Sequence, residues 1–135
     1  MITSQPGWWA NLPRLRAGFL ILTYCKAPSY QIMVLTKGPT TRDNAWSEKI
    51  QWCQRELGKN IEVTVTTDKS LVYGRVLVDD YPDYALSWLE YRPRGLVIMP
   101  KSPACEGFSH PNVLIYDGDN YREVVEALEN AYERD

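Results

Sequence analysis

The sequence has few of the residues that build metal knuckles, disulfide frameworks or basic surfaces. It contains one histidine and three cysteines in 135 residues, and no two cysteines have Cys-x-x-Cys spacing. A zinc knuckle and a disulfide framework are therefore not indicated. The 15 Lys and Arg residues do not outnumber the 17 Asp and Glu residues, so we predict no nucleic-acid partner.

Long apolar runs are also missing. The longest one, residues 19–24 (FLILTY), is far shorter than the roughly 20 residues that a membrane-spanning helix needs. Met1 is not followed by a basic and then apolar leader. These features predict no membrane contact and a cytoplasmic location. The length of 135 residues suits a single domain, residues 1–135.

The hydrophobic pattern alternates between strand-like and helix-like segments. The apolar block over residues 17–26 suits a short buried helix or a strand, and we favour a helix. Three further helices are predicted from apolar faces, over residues 44–57, 83–91 and 121–134. Short apolar or alternating runs predict strands over residues 31–36, 61–66, 75–78, 95–99 and 112–116. This alternation predicts an α/β fold with a mainly parallel sheet.

Polar side chains follow three of the predicted strands. They are Thr36 with Lys37, then Lys69, then the pair Asp79-Asp80. Because the carboxyl ends of parallel strands meet at one edge, we expect these residues to converge. Two carboxylates suit Mg²⁺ better than zinc or copper, and a lysine neutralises an anion bound to that cation. Phosphate chemistry is the first prediction, although Asp79-Asp80 also suits a charge cluster at the start of the next helix.

The same positions resemble the motifs of the haloacid dehalogenase superfamily of phosphohydrolases. Its second motif is an apolar strand ending in Thr or Ser, its third a lysine, and its fourth an acidic pair after an apolar strand. Here these look like VLT ending at Thr36, Lys69, and VLVDD ending at Asp80. Within that superfamily the chain is most similar to the 5'(3')-deoxyribonucleotidases, over residues 6–120. The supporting stretches are PGWWANLPRL, LTKGP, TTDKSLVYGRVLVDDYPD, GLVIMP and HPNVLIYDG.

The resemblance implies a three-layer α/β sandwich of Rossmann type and a Mg²⁺-dependent hydrolase of deoxynucleoside monophosphates or other phosphate monoesters. The Thr36 hydroxyl and Lys69 would hold the transferring phosphoryl group, and Lys37 would add a phosphate contact. Asp79 or Asp80 would help to bind the magnesium ion. Trp8 and Trp9 fall where the family's aromatic cap meets its core, which implies a contact with the substrate base. The other interpretation of this tryptophan pair is ordinary core packing.

The family's first motif, an apolar strand ending in Asp-x-Asp that supplies the nucleophile, does not precede Thr36. We therefore expect a truncated core, with residues 1–16 as a remnant of the junction between cap and core. Catalysis would then require the strand from a second polypeptide or a partner copy. Asp117-Gly118-Asp119 has the same spacing, as a permuted motif would, but we interpret it as a turn. The alternative function is an inactive remnant that binds nucleotide or phosphate, or serves in assembly.

Overall fold

The computed structural model describes residues 16–26, 28–38 and 43–134, which form an α/β protein with parallel strands. The α-helices are α1 (Arg16–Lys26), α2 (Asp43–Leu57), α3 (Pro82–Glu90) and α4 (Tyr121–Glu133). The strands are β1 (Met33–Lys37), β2 (Glu62–Thr66), β3 (Val76–Val78), β4 (Leu96–Pro100) and β5 (Val113–Tyr116). The predicted α/β class with parallel strands is confirmed, as is the helical choice for α1. In the part of the chain that the structure describes, no helix combines the length and apolar character needed to cross a bilayer.

The described residues divide into two compact units that are not continuous in sequence. The first unit contains residues 31–38 and 43–69, and the second contains residues 16–26, 28–30 and 70–134. Each unit has its own parallel sheet.

The first unit is a β-α-β segment. Strands β1 and β2 pair in parallel, with Met33 opposite Glu62 and Lys37 opposite Thr66. Helix α2 connects them, as a parallel pair requires, and buries Ala45 and Cys53, which are 0% and 5% exposed. Gly58 ends this helix with a φ of +101°, a conformation that glycine adopts without a Cβ penalty. Both strands of the unit therefore end at the same edge.

The second unit has three parallel strands in the order β3-β4-β5. The central strand β4 is its core, since Val97, Ile98 and Met99 are all 0% exposed. Helices α1 and α4 pack on each other and on β4. The Tyr30 hydroxyl, just after α1, donates to the Leu128 carbonyl of α4 at 2.8 Å. Burial of several large apolar side chains, each stabilising by ~1.5–3 kcal/mol, holds this unit together.

Helix α3 anchors the segment that leads into β3. Trp88 is 1% exposed, and its Nε1 donates to the Val72 carbonyl at 3.0 Å. Arg92 lies over the Trp88 ring, 5.2 Å from the centroid, and its Nη1 donates to the Ser70 carbonyl at 2.8 Å. The backbone immediately after Lys69 is therefore fixed by the end of α3.

Candidate functional site

The carboxyl edge of β1 and β2 brings together three of the residues predicted to bind phosphate. Thr36 lies opposite Val65, and the Gly38 amide donates to the Thr66 carbonyl at 3.0 Å. The Thr66 hydroxyl accepts the Asp68 amide at 3.1 Å, and this turn leads into a short 3-10 helix, Lys69–Leu71. Thr36, Lys37 and Lys69 thus lie at one edge of the sheet of the first unit.

A fourth residue at this edge, Lys49, was not among the residues predicted from the sequence. Its Nζ donates to the carbonyl of Lys37, the last residue of β1, at 2.5 Å. Burial lowers the pKa of Lys49, and the positive charge of Lys69 lowers it further. Lys49 and Lys69 therefore both lie at the carboxyl edge of the first sheet.

The spacing of Lys49 from two buried residues of α2 could have identified it as an inward-facing lysine from the sequence. Lys49 is four residues after Ala45 and four before Cys53, and both of these are buried. Residues four apart lie on one face of a helix. A lysine between two buried positions must direct its long side chain along that face toward a polar partner, and the Lys37 carbonyl is such a partner.

A close contact fixes the start of α2 against the end of β1. A Cβ built on Gly38 would lie 2.3 Å from Cε2 of Trp46, so only glycine allows the indole ring to pack there. Asn44 stabilises the same part of α2, because its Nδ2 donates to the buried Glu48 carboxylate at 3.2 Å. These contacts set the position of α2, and with it that of Lys49.

The two predicted metal ligands lie at the end of β3 in the second unit. Asp79 is 8% exposed, and its backbone amide donates to the Ile98 carbonyl at 3.3 Å. Its Oδ1 accepts the amide of Tyr81, the N-cap residue of α3, at 3.1 Å. Asp80 is exposed. The Asp79 carboxylate therefore has a structural role at the start of α3. This agrees with the alternative interpretation of Asp79-Asp80 as a charge cluster at the start of a helix.

These carboxylates fit part of a magnesium site. Within residues 16–26, 28–38 and 43–134, no group of three or more His, Cys, Asp or Glu side chains is placed to hold a metal ion. Magnesium commonly keeps several water ligands and takes only one or two protein carboxylates together with substrate phosphate oxygens. Asp79 or Asp80 fits such a site, and the magnesium assignment stays a prediction.

The predicted site residues are divided between the two units, and two of them lie outside the described residues. Thr36, Lys37 and Lys69 belong to the first unit, whereas Asp79 and Asp80 belong to the second. Convergence of both sets on one ligand stays a prediction. Trp8 and Trp9 lie outside the described residues.

The Asp117-Gly118-Asp119 segment is a turn, as predicted. Oδ1 of Asp117 accepts the amides of Asp119 and Asn120 at 2.8 and 3.0 Å, and Gly118 has a φ of +97°. The two amide donors lower the pKa of Asp117. This carboxylate is therefore engaged in starting α4.

Comparisons with known proteins do not place the chain in a family. No protein-family model matches it, and neither does any curated protein. The resemblance to the haloacid dehalogenase superfamily accordingly rests on the motifs themselves.

Proposed function

We propose that this chain is the phosphate-binding core of a deoxyribonucleotidase-like, magnesium-dependent phosphohydrolase of the haloacid dehalogenase type. The observation that carries the proposal is the common position of Thr36, Lys37 and Lys69 at the carboxyl edge of β1 and β2. A transferring phosphoryl group spreads negative charge over three oxygens. A hydroxyl and lysine ammonium groups stabilise that charge.

We also propose that Asp79 or Asp80 binds a magnesium ion, as the resemblance implies. Such an ion neutralises the charge of a bound phosphate. The hydrogen bond from the Tyr81 amide fixes the orientation of the Asp79 carboxylate before any ligand binds. A carboxylate that is already oriented loses less conformational entropy when it binds a metal ion.

In this proposal the nucleophile comes from outside these 135 residues. The only Asp-x-Asp sequence among the 135 residues is the turn at Asp117. Within the described ranges β1 pairs only with β2, and β3 pairs only with β4. We propose that a strand ending in Asp-x-Asp, from another polypeptide, completes a three-layer sandwich of Rossmann type.

The alternative proposal is an inactive remnant that binds a nucleotide or phosphate, or that serves in assembly. The engagement of the Asp117 carboxylate by two backbone amides favours it, because the only Asp-x-Asp of the chain is then part of a helix start. In this alternative Thr36 and Lys69 hold a phosphate that is never hydrolysed.

Release of inorganic phosphate from deoxynucleoside 5'-monophosphates tests the two proposals. The samples are the chain alone, the chain with the product of the neighbouring gene, and that mixture with Lys69→Ala, all with Mg²⁺. We expect turnover only in the mixture, with a loss on the order of 100-fold or more in Lys69→Ala. The matched control is Lys59→Ala, at an exposed lysine of the same unit, which should retain full activity.

Nucleotide binding by the chain alone separates the remaining outcomes. Binding that depends on Lys69, without turnover in any mixture, supports the remnant. Turnover that survives both Lys69→Ala and removal of Mg²⁺ by a chelator contradicts the phosphohydrolase proposal.

A further inference from the structure

Two lysines from different elements lie at the carboxyl edge of the first sheet. Lys49 comes from the middle of α2, and its Nζ reaches the last carbonyl of β1. Lys69 follows β2 in the 3-10 helix that the Thr66 turn begins. We refer to Lys49 and Lys69 as the lysine pair.

The environment of Lys49 disfavours its positive charge. Lys49 is half-buried, and its helical neighbours Ala45 and Cys53 are buried and uncharged. Burial and a neighbouring cation both disfavour a charged ammonium, and both act on Lys49 here. An anion bound at this edge would favour the charged form of Lys49, and a dianion would attract both lysines more strongly than a monoanion.

The geometry of α2 holds Lys49 ready for such an anion. The Lys37 carbonyl fixes its Nζ at the strand end, and the contact between Trp46 and Gly38 fixes the helix there. An ammonium has three N–H donors, so the bond to a carbonyl is compatible with a second bond to an anion. Thr36 and Lys37 belong to the same edge.

We propose that Lys49 is a phosphate-binding residue of this chain, and that the lysine pair makes the site selective for a dianionic phosphate group over a monoanionic one. The inference rests on the proposed phosphate site at Thr36 and Lys69, and adds to it a residue and a charge preference. Inorganic phosphate and the terminal phosphate of a monoester share this chemistry, and either can supply the dianion.

Titration of the whole chain with inorganic phosphate, followed by amide chemical shifts, tests the proposal without any turnover. Methyl phosphate and dimethyl phosphate serve as a monoester dianion and a diester monoanion. The variant is Lys49→Gln, because its side-chain amide keeps a donor for the Lys37 carbonyl while the charge is lost. The control is Lys59→Gln at an exposed position of the same unit.

We expect Lys49→Gln to raise the phosphate dissociation constant about 10-fold or more, the size expected for one lost charge-assisted hydrogen bond. Lys59→Gln should leave it unchanged, and Lys49→Arg should restore most of the affinity. Dimethyl phosphate should bind more weakly than the two dianions and be less affected by Lys49→Gln. Comparing methyl phosphate with inorganic phosphate shows which of the two sources the site prefers.

Equal phosphate affinity of Lys49→Gln and the unaltered chain, at equal urea stability, would overturn the proposal. So would the absence of phosphate-induced shifts at residues 36–38 and 69 in the unaltered chain. The first result leaves the hydrolase proposal to its own assay, whereas the second also counts against the phosphate site on which that proposal rests. Conversely, phosphate binding that depends on Lys49 supports this inference. If no mixture then shows turnover, the hydrolase proposal is wrong while the inference holds.

Discussion

The hydroxyl groups of Tyr24 and Tyr116 lie 3.2 Å apart and join α1 to the end of β5. The two rings meet edge to face with their centroids 5.9 Å apart, and Tyr116 is 2% exposed. The hydrogen bond with Tyr24 and the burial together raise the pKa of Tyr116 to about 12. This pair is a polar contact inside the apolar core of the second unit.

The raised pKa of Tyr116 predicts a loss of stability at alkaline pH. Folding favours the neutral hydroxyl, so its contribution is complete below pH 10.0, the ordinary value, and is lost as the pH rises toward about 12. Urea unfolding at pH 8, 10 and 11, with tyrosinate absorbance at 295 nm, measures both changes. In Tyr116→Phe the alkaline loss should be smaller than in the unaltered chain.

Replacement of Tyr24 by Phe should destabilise the protein by ~1–3 kcal/mol at pH 7, because it leaves the buried Tyr116 hydroxyl without this partner. Urea unfolding gives the free energy of unfolding. The control is Tyr91→Phe, at a residue that is 68% exposed. Equal losses in the two variants would show that the hydroxyl pair contributes nothing.

Substitution of Gly95 by Ala should destabilise the second unit. The new Cβ would lie 2.5 Å from Cζ3 of Trp88, a side chain that is 1% exposed and cannot move without disturbing the core. We expect a cost of ~1–3 kcal/mol in urea unfolding, the range for overpacked cores. At Gly74 the nearest atom to a new Cβ is 3.5 Å away, so Gly74→Ala is the matched control. A Gly95→Ala variant as stable as Gly74→Ala would contradict the packing described here.

Replacement of Arg75 by Met should loosen the last turn of α4. Nη1 of Arg75 donates to the carbonyls of Ala131 and Tyr132 at 3.1 and 3.4 Å, and also to that of Arg134. A cation satisfies the otherwise unpaired carbonyls at a helix end and interacts favourably with the helix dipole. We expect a loss of about 2 kcal/mol, with faster amide exchange in that turn.

The control for Arg75→Met is Arg55→Met, since the Arg55 side chain is 48% exposed and has only a 3.9 Å ion pair with Glu56. Exposed pairs of this kind contribute at most ~1 kcal/mol. If amide exchange at residues 130–133 is the same in both variants, Arg75 does not hold the helix end.

The turn at Asp117 predicts a difference between two aspartates that a catalytic Asp-x-Asp would need equally. Asp117→Ala removes the acceptor for the amides of Asp119 and Asn120 and should lower the melting temperature. Asp119→Ala should lower it less. Because the pKa of Asp117 is lowered, its contribution is present above pH 3.8 and is lost as the pH falls through the lower folded value. A larger effect of Asp119→Ala on thermal stability would contradict this description of the turn.

The helices and strands were predictable because their local patterns were strong. The apolar face of α2 and the Gly58 stop, for example, correctly placed a helix over residues 44–57, against an observed Asp43–Leu57. The end of β1 was also predictable, since a buried apolar run followed by Thr36 and Lys37 gives both a strand and its polar terminus. These patterns depend only on residues that are close together in the sequence.

The pairing of strands and the position of Lys49 were not predictable in the same way. Hydrogen bonding between β1 and β2, or between β3 and β4, joins residues far apart in sequence, and periodicity carries no information about it. No role was predicted for Lys49 from the sequence, although Ala45 and Cys53, four residues before and after it, are buried on the same helix face. The hydrogen bond from the Tyr81 amide to Asp79 required the backbone conformation before α3.

The second unit is formed by two segments that are separated in sequence by the first unit, and this separation affects the order of folding. Helix α1 is made early in synthesis, but its partners Tyr116 and Leu128 follow 92 and 98 positions after Tyr24 and Tyr30. Contacts between such distant positions form late, because the long intervening loop must close first. The β-α-β segment over residues 31–69 is synthesised completely before α4 exists. We therefore expect α1 to leave the ribosome as an unpartnered amphipathic segment, and to find its place only when α4 is released.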